Sequence, residues 1–369
     1  MAGSAVASKL KRPRSVTPST LLGWLQLAGS AVFLSYHSVA AWLTVLCGRL
    51  CGKHPLSHPE WPLDLALISA GFRVCMEKGC MVDFRPLLSG LSLLQFYPGL
   101  RLQRVNAGGC KAYWMRLRAG REVQHAQVVL FYVHGGAFVG GDACMTAWTF
   151  QHWMQRLAGS GLHAAVLSVE YPLAPEHQFP AAVVDTAAAY AWLRQQLQQQ
   201  GSSVCVIPVA DSAGANILVA ALTALRDISS GSSMEDEQAC FYDEEWRAQH
   251  EPRFDYLPVS VVGGGMHHYV GSTVLLACGY VSPLHAASLA GLAGGPWLVL
   301  AGGAELMARD IDSFVERLRC SVGAAAVQHH VEPHLPHSWA ILPTPSMWPR
   351  QEAVLQFITE QAAAHAKVL

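Results

Sequence analysis

From about residue 108 onwards, short apolar runs rich in β-branched and aromatic residues alternate with longer helical stretches. The runs are QVVLFYVH, AAVLSVEY, SVCVIPVA, PWLVLAGG and AAVQHHVE, with helices expected near 144–158, 181–199, 213–225, 305–319 and 349–366. None of these runs shows the polar residue at every second position that a half-solvated strand carries, so both faces must be covered. Buried strands alternating with helices specify an α/β domain with a mainly parallel sheet flanked by helices. A chain of 369 residues buries a large core without disulfide or metal staples. Its ten cysteines are scattered with no paired CxxC pattern, which argues against a thiolate zinc site. A formal charge of -1 and the lack of a basic stripe exclude nucleic acid as an expected partner.

Ahead of this domain the chain reads differently. Residues 1–20 form a basic tail carrying Lys9, Lys11, Arg12 and Arg14. Residues 15–48 contain no Asp, Glu, Lys or Arg, and the stretch 21–48 is mostly apolar, where about 20 apolar residues suffice to cross a bilayer. Trp24 and Trp42 stand towards its two ends, where interfacial aromatics are favoured. This predicts a transmembrane or membrane-associated helix with lipid as a partner. The basic tail then favours a cytosolic N-terminus and a catalytic part beyond the membrane, in the endoplasmic reticulum. The competing reading is an apolar helix packed on the protein, for which Gln26, Ser30, Ser35 and His37 speak. Residues 49–107 are expected to be a helical N-terminal region, and 108–369 the α/β domain, interrupted by a flexible acidic insertion at 227–258.

Three features carry chemistry. Ala210-Asp211-Ser212-Ala213-Gly214 falls directly between a buried strand and a helix. Acyl transfer needs a hydroxyl held proud of the sheet on a sharp strand-to-helix turn, which leaves room only for small residues two positions either side. Gly214 meets that demand, and Ala210 stands where glycine is usual. His134-Gly135-Gly136-Ala137 ends the run QVVLFYV, 78 residues before Ser212. The amides of Gly135 and Gly136, with that of Ala213, are candidates for an oxyanion hole. Glu305 follows PWLVLAGG, and His337 lies 32 residues further on, after AAVQHHVE. A serine hydroxyl is a poor nucleophile until a histidine takes its proton, and a carboxylate must fix that imidazole's tautomer. Ser212, His337 and Glu305 are therefore the candidate nucleophile, base and acid, with Asp310 as the alternative acid. His329, His330 and His334 raise a zinc cluster as a rival, but Pro333 and Pro336 break any helix that would align them, and no metal is expected. Gly263-Gly264-Gly265, beside His267-His268, reads as a glycine turn, because the spacing of a phosphate loop is absent.

At these residues the chain resembles the hormone-sensitive-lipase-like branch of the α/β-hydrolases, which includes bacterial esterases and arylacetamide deacetylases. His134-Gly135-Gly136 is similar to that branch's oxyanion motif, and Asp211 to Asn216 to its nucleophile elbow. Tyr171-Pro172-Leu173-Ala174-Pro175-Glu176-His177, followed by Phe179-Pro180-Ala181-Ala182, resembles its YRLAPEHxFPAA signature, with Leu173 where arginine is usual. The strand and SPW-like segment that normally follow the elbow helix have no clear counterpart in 227–258. The resemblance implies an α/β-hydrolase fold with a helical lid from residues 54–90, and a cofactor-free serine esterase. Its expected substrates are hydrophobic or short-acyl esters. An amidase of the formamidase kind, and a non-catalytic small-molecule receptor of the same fold, are the alternatives.

Overall fold

The computed structural model describes residues 21–54, 56–78, 97–120, 122–201, 203–230, 254–271, 278–286, 288–292 and 295–368, with the backbone alone for 21–35. Five strands form one sheet in the order β1-β2-β4-β3-β5. They are β1 (Leu100–Ala107), β2 (Cys110–Leu117), β3 (Val128–Val133), β4 (Ala164–Glu170) and β5 (Cys205–Ala210). The β1–β2 and β2–β4 ladders are antiparallel, whereas β3 runs parallel to both β4 and β5. Strands β6 (Trp297–Gly302) and β7 (Val327–Glu332) form a separate parallel ladder. Every residue of β3 is buried, as its unbroken apolar sequence requires of a central strand.

Helices α3 (Ala147–Gly159), α4 (Ala181–Gln199), α5 (Ala213–Ser230), α7 (Ala308–Val322) and α8 (Glu352–Val368) cover the strands, at or within a few residues of the positions expected from the sequence. Two cores result, one on each face of the sheet. Phe131, Val133, Leu167, Ile217 and Leu193 belong to one; Leu130, Tyr132, Phe150, Trp153 and Ile358 belong to the other. Successive residues of β3 therefore point into different cores.

The N-terminal half departs from expectation. Residues 21–48 do form a helix, α1 (Leu21–Leu50), but among the described residues no helix is long and apolar enough to cross a membrane. The reading of a membrane span, and the endoplasmic-reticulum placement built on it, therefore gain no support from the described residues. The end of α1 docks on protein instead: Ala41 and Val45 are buried against α2 (Leu63–Lys78) and the chain leading to it. Trp42 Nε1 donates to Leu67 O at 2.8 Å, and the Arg49 guanidinium donates to Trp61 O. The opposite side of the helix, through Tyr36, Val39, Leu43, Leu46 and Leu50, is exposed. The basic tail at 1–20 and part of the expected lid, 79–96, lie outside the described residues. Residues 100–107, grouped by sequence with the helical region, form β1.

Two further differences bear on the site. Gly263–Gly265 is no turn: it lies inside helix α6 (Val259–Val270). Of the acidic stretch 227–258, residues 231–253 fall outside the described residues, but Asp255, Tyr256 and Leu257 at its end are buried.

Candidate active site

The turn between β5 and α5 places Ser212 at φ 50°, in the left-handed region that side chains rarely adopt. The turn is tight because α5 starts almost on top of β3: a Cβ on Gly214 would lie 2.2 Å from Val133 O. Only glycine fits there. Ala210 pairs with Val133 at the end of the β5 ladder, where its methyl group is accommodated.

Glu305 and His337 come from the loops after β6 and β7. His337 Nδ1 lies 2.5 Å from Glu305 Oε2, and His337 Nε2 lies 2.8 Å from Ser212 Oγ. A carboxylate only accepts, so Nδ1 carries the proton and Nε2 is free to take the one on Ser212. The other Glu305 oxygen accepts the Gly302 amide at 2.7 Å, and both side chains are buried. Burial alone would lower the His337 pKa; the charge and hydrogen bond of Glu305, aided by Asp255 and Asp211, more than offset it, so the net shift is upward. Asp310 stands in the first turn of α7, and the partner of the imidazole is Glu305.

The oxyanion loop requires a correction. The Gly135 amide donates to Asp211 Oδ1 at 3.0 Å, so it is already committed and cannot hold a developing oxyanion. The neighbouring amides of Gly136 and Ala137, with that of Ala213, have no hydrogen-bond partner among the described residues. Ala137 was missed from sequence; its place as last residue of the HGGA stretch is the signal that could have found it. Gly136 is at φ 123°, with Gly140 O only 2.1 Å from where a Cβ would stand, and Ala137 and Phe138 are also left-handed, at 51° and 66°.

Such a loop persists only if its surroundings impose it. On one side, Tyr171 stacks on the buried His134 ring at 4.2 Å and donates its hydroxyl to His134 O at 2.7 Å. Burial pushes the His134 pKa down to about 4, so the ring is neutral and its Nδ1–H serves the Gly135 carbonyl at 2.7 Å. Ala174, in the same YPLAPEH stretch, donates its amide to Phe138 O. On the other side stands α6. Tyr269 stacks on Phe138 at 4.0 Å, and a Cβ on Gly265 would come within 2.5 Å of Ala137 O. Of the three glycines read as a turn, Gly265 is the one that lets a helix touch this loop.

A prediction follows from that contact. Gly265→Ala should push Ala137 away and lower kcat about tenfold or more, in line with the loss of one oxyanion donor. The fold should survive, since alanine favours helix over glycine. Steady-state kinetics beside a thermal melt would check this; unchanged kcat in a folded variant would show that the loop tolerates the shift.

The remaining histidines scatter. His329 lies 3.9 Å from Asp312, and His330 bonds Glu332 at 3.0 Å. His334 stacks on His58 near Glu60, away from the other two. The trio suggested from sequence is therefore not assembled, because the successive residues His329 and His330 of β7 face opposite sides and His334 lies beyond its end.

Asp255 had no sequence signal at all. Its Oδ2 accepts the Leu306 amide at 2.7 Å and its Oδ1 accepts the His337 amide at 3.2 Å.

A family profile described as the alpha/beta hydrolase fold matches residues 130–341, more than half of the chain and the whole of this constellation. The chain belongs to the α/β-hydrolase fold family. Within it, the similarity is to hormone-sensitive-lipase-type members. Esterase LipI of Mycobacterium tuberculosis is 41% identical over 175 residues, 45% of this chain and 52% of that one. An acetyl-hydrolase of Streptomyces hygroscopicus is 40% identical over 125 residues, 33% of this chain and 37% of that one. The matches thus span about half or less of these relatives' lengths. Among solved structures, an esterase from the bacterial hormone-sensitive lipase family is similar with a TM-score of 0.64 and 26% identity, covering 82% of this chain and 99% of that one. In this α/β-hydrolase fold the five-stranded sheet carries Ser212 and the His134–Ala137 loop, while the β6–β7 ladder carries Glu305 and His337.

Proposed function

We propose that this α/β-hydrolase is a serine carboxylic-ester hydrolase acting on hydrophobic or short-acyl esters. The observation that carries this reading is the unbroken relay from Ser212 Oγ through His337 to Glu305, at 2.8 and 2.5 Å. The printed names of the relatives, esterases and an acetyl-hydrolase, support an ester as the substrate class.

Ser212 attacks the ester carbonyl as His337 Nε2 removes its proton. The tetrahedral oxyanion settles against the amides of Gly136, Ala137 and Ala213. His337, now an imidazolium held by Glu305, passes its proton to the leaving alcohol. The same imidazole then deprotonates a water, which releases the acid from Ser212 and restores the hydroxyl. No cofactor enters these steps.

The test is a fluorophosphonate probe together with matched p-nitrophenyl ester and anilide substrates. Wild type should label, and should turn over the ester far faster than the anilide. Labelling that persists after Ser212→Ala would remove this serine from the mechanism, and a preference for the anilide would replace the esterase by an amidase.

A further inference from the structure

We propose that Asp255 is a positioning residue of this site: its carboxylate locks the acid loop to the base loop and sets a second negative charge against the His337 imidazolium. The proposal rests on the esterase reading above.

The geometry carries it. One carboxylate oxygen takes the amide of Leu306, the neighbour of Glu305, and the other takes the amide of His337 itself. A single side chain thus bridges two loops that approach from different strands. Both of its oxygens accept N–H groups, an arrangement suited to the ionised form, which only accepts. The group is 3% exposed. A buried carboxylate is costly, and burial is the largest influence on this one; the His337 ring is the next, and it acts in the opposite direction, favouring the charge. Asp255 is itself anchored from outside the site, because Arg73 of α2 donates to its carbonyl oxygen at 2.9 Å.

The groups facing His337 are the carboxylates of Glu305, Asp255 and Asp211, the Ser212 hydroxyl and the Tyr256 ring, whose centroid is 6.2 Å away. Tyr256 is fully buried with its pKa raised well above the ordinary value, and stays neutral. Among the described residues, the charge balance around the imidazole is therefore set by carboxylates alone. Glu305 makes the hydrogen bond that fixes the tautomer. Asp255 holds the backbone from which the ring projects, and without it two buried amides beside the triad lose their acceptor.

The experiment compares wild type, Asp255→Asn and Asp255→Glu in the full chain, reading kcat, KM and the pH profile of kcat/KM, with a thermal melt of each. Removing the charge should lower kcat about tenfold or more with little change in KM. It should also move the acidic limb to lower pH by roughly half a unit or more, because the imidazolium loses a stabilising neighbour. Asp255→Glu keeps the charge but misplaces it, so the limb should stay where the wild type has it while kcat falls. A purely structural role would lower melting temperature and leave the limb unmoved in both variants. Should Asp255→Asn fail to melt cooperatively, Asp255→Glu decides: unchanged kcat would overturn the proposal. So would an active wild type whose kcat and acidic limb are matched by Asp255→Asn. A wild type that neither labels with fluorophosphonate nor turns over esters would overturn the esterase reading, and this proposal with it.

Discussion

Ser212→Ala should reduce ester turnover by a factor on the order of 10⁶, the scale seen when a triad serine is removed from another hydrolase. The reason is local. The relay at 2.8 Å exists to take one proton from one oxygen, and without that oxygen His337 and Glu305 have nothing to activate except water. What survives is the residual contribution of the oxyanion amides and substrate binding. Stability should barely change, because the hydroxyl contributes one hydrogen bond worth about 1 kcal/mol. Turnover of a p-nitrophenyl ester, beside a thermal melt, reads both effects. A variant that keeps a tenth of the wild-type rate would place the nucleophile elsewhere.

Glu305→Gln should cost about 10⁴ in kcat, as the same class of change does at another triad. Glutamine has one acceptor oxygen where Glu305 uses two, one for the Gly302 amide and one for His337 Nδ1. With the oxygen kept on Gly302, the amide NH2 faces Nδ1 and donates to it. The imidazole must then carry its proton on Nε2, facing Ser212, where it cannot accept another. The pH dependence gives a second reading. Activity needs neutral His337, and the raised pKa of this imidazole places the acidic limb above that of a free histidine. Removing the Glu305 charge takes away the largest influence holding that pKa up. The limb should move to lower pH even as the plateau falls. A limb that stayed in place would mean that Glu305 does not govern the imidazole's charge.

How far the sequence foretold this site depended on what each feature needs from its neighbours. The strands were legible because burial on both faces writes itself as an unbroken apolar run, as in VVLFYV. The convergence of Ser212, His337 and Glu305 was legible because few environments ask for a serine on a strand-to-helix turn with an acid and a histidine after later strands. The loop amides left open lie one residue further on than the sequence reading placed them. Residue types reveal that amides converge; they do not reveal that Asp211 has already claimed the one on Gly135. The three glycines of α6 were misread because glycine disfavours helix; at Gly265 the close contact with Ala137 demands glycine all the same. Helix α1 was legible as a helix, but what it packs against was not, since an apolar composition suits lipid and protein alike. The decisive partners, Leu67 for Trp42 and Trp61 for Arg49, exist only in three dimensions. Asp255 was hidden because it ends a run of acidic residues, and such runs are ordinarily solvated.

The two ladders have a mechanical consequence. Among the described residues β5 and β6 share no backbone hydrogen bonds, so the nucleophile rides on one body while base and acid ride on the other. What keeps them in register across this seam is side-chain packing, with Leu298 and Leu300 meeting the apolar cluster of Ile207, Val209 and Phe357. Interdigitated side chains are softer to shear than a hydrogen-bonded sheet, yet proton transfer tolerates little misplacement. Thinning that packing, far from any reacting atom, would let the imidazole drift from the hydroxyl before either body melts. For this enzyme, catalytic vigour and heat resistance are separable properties.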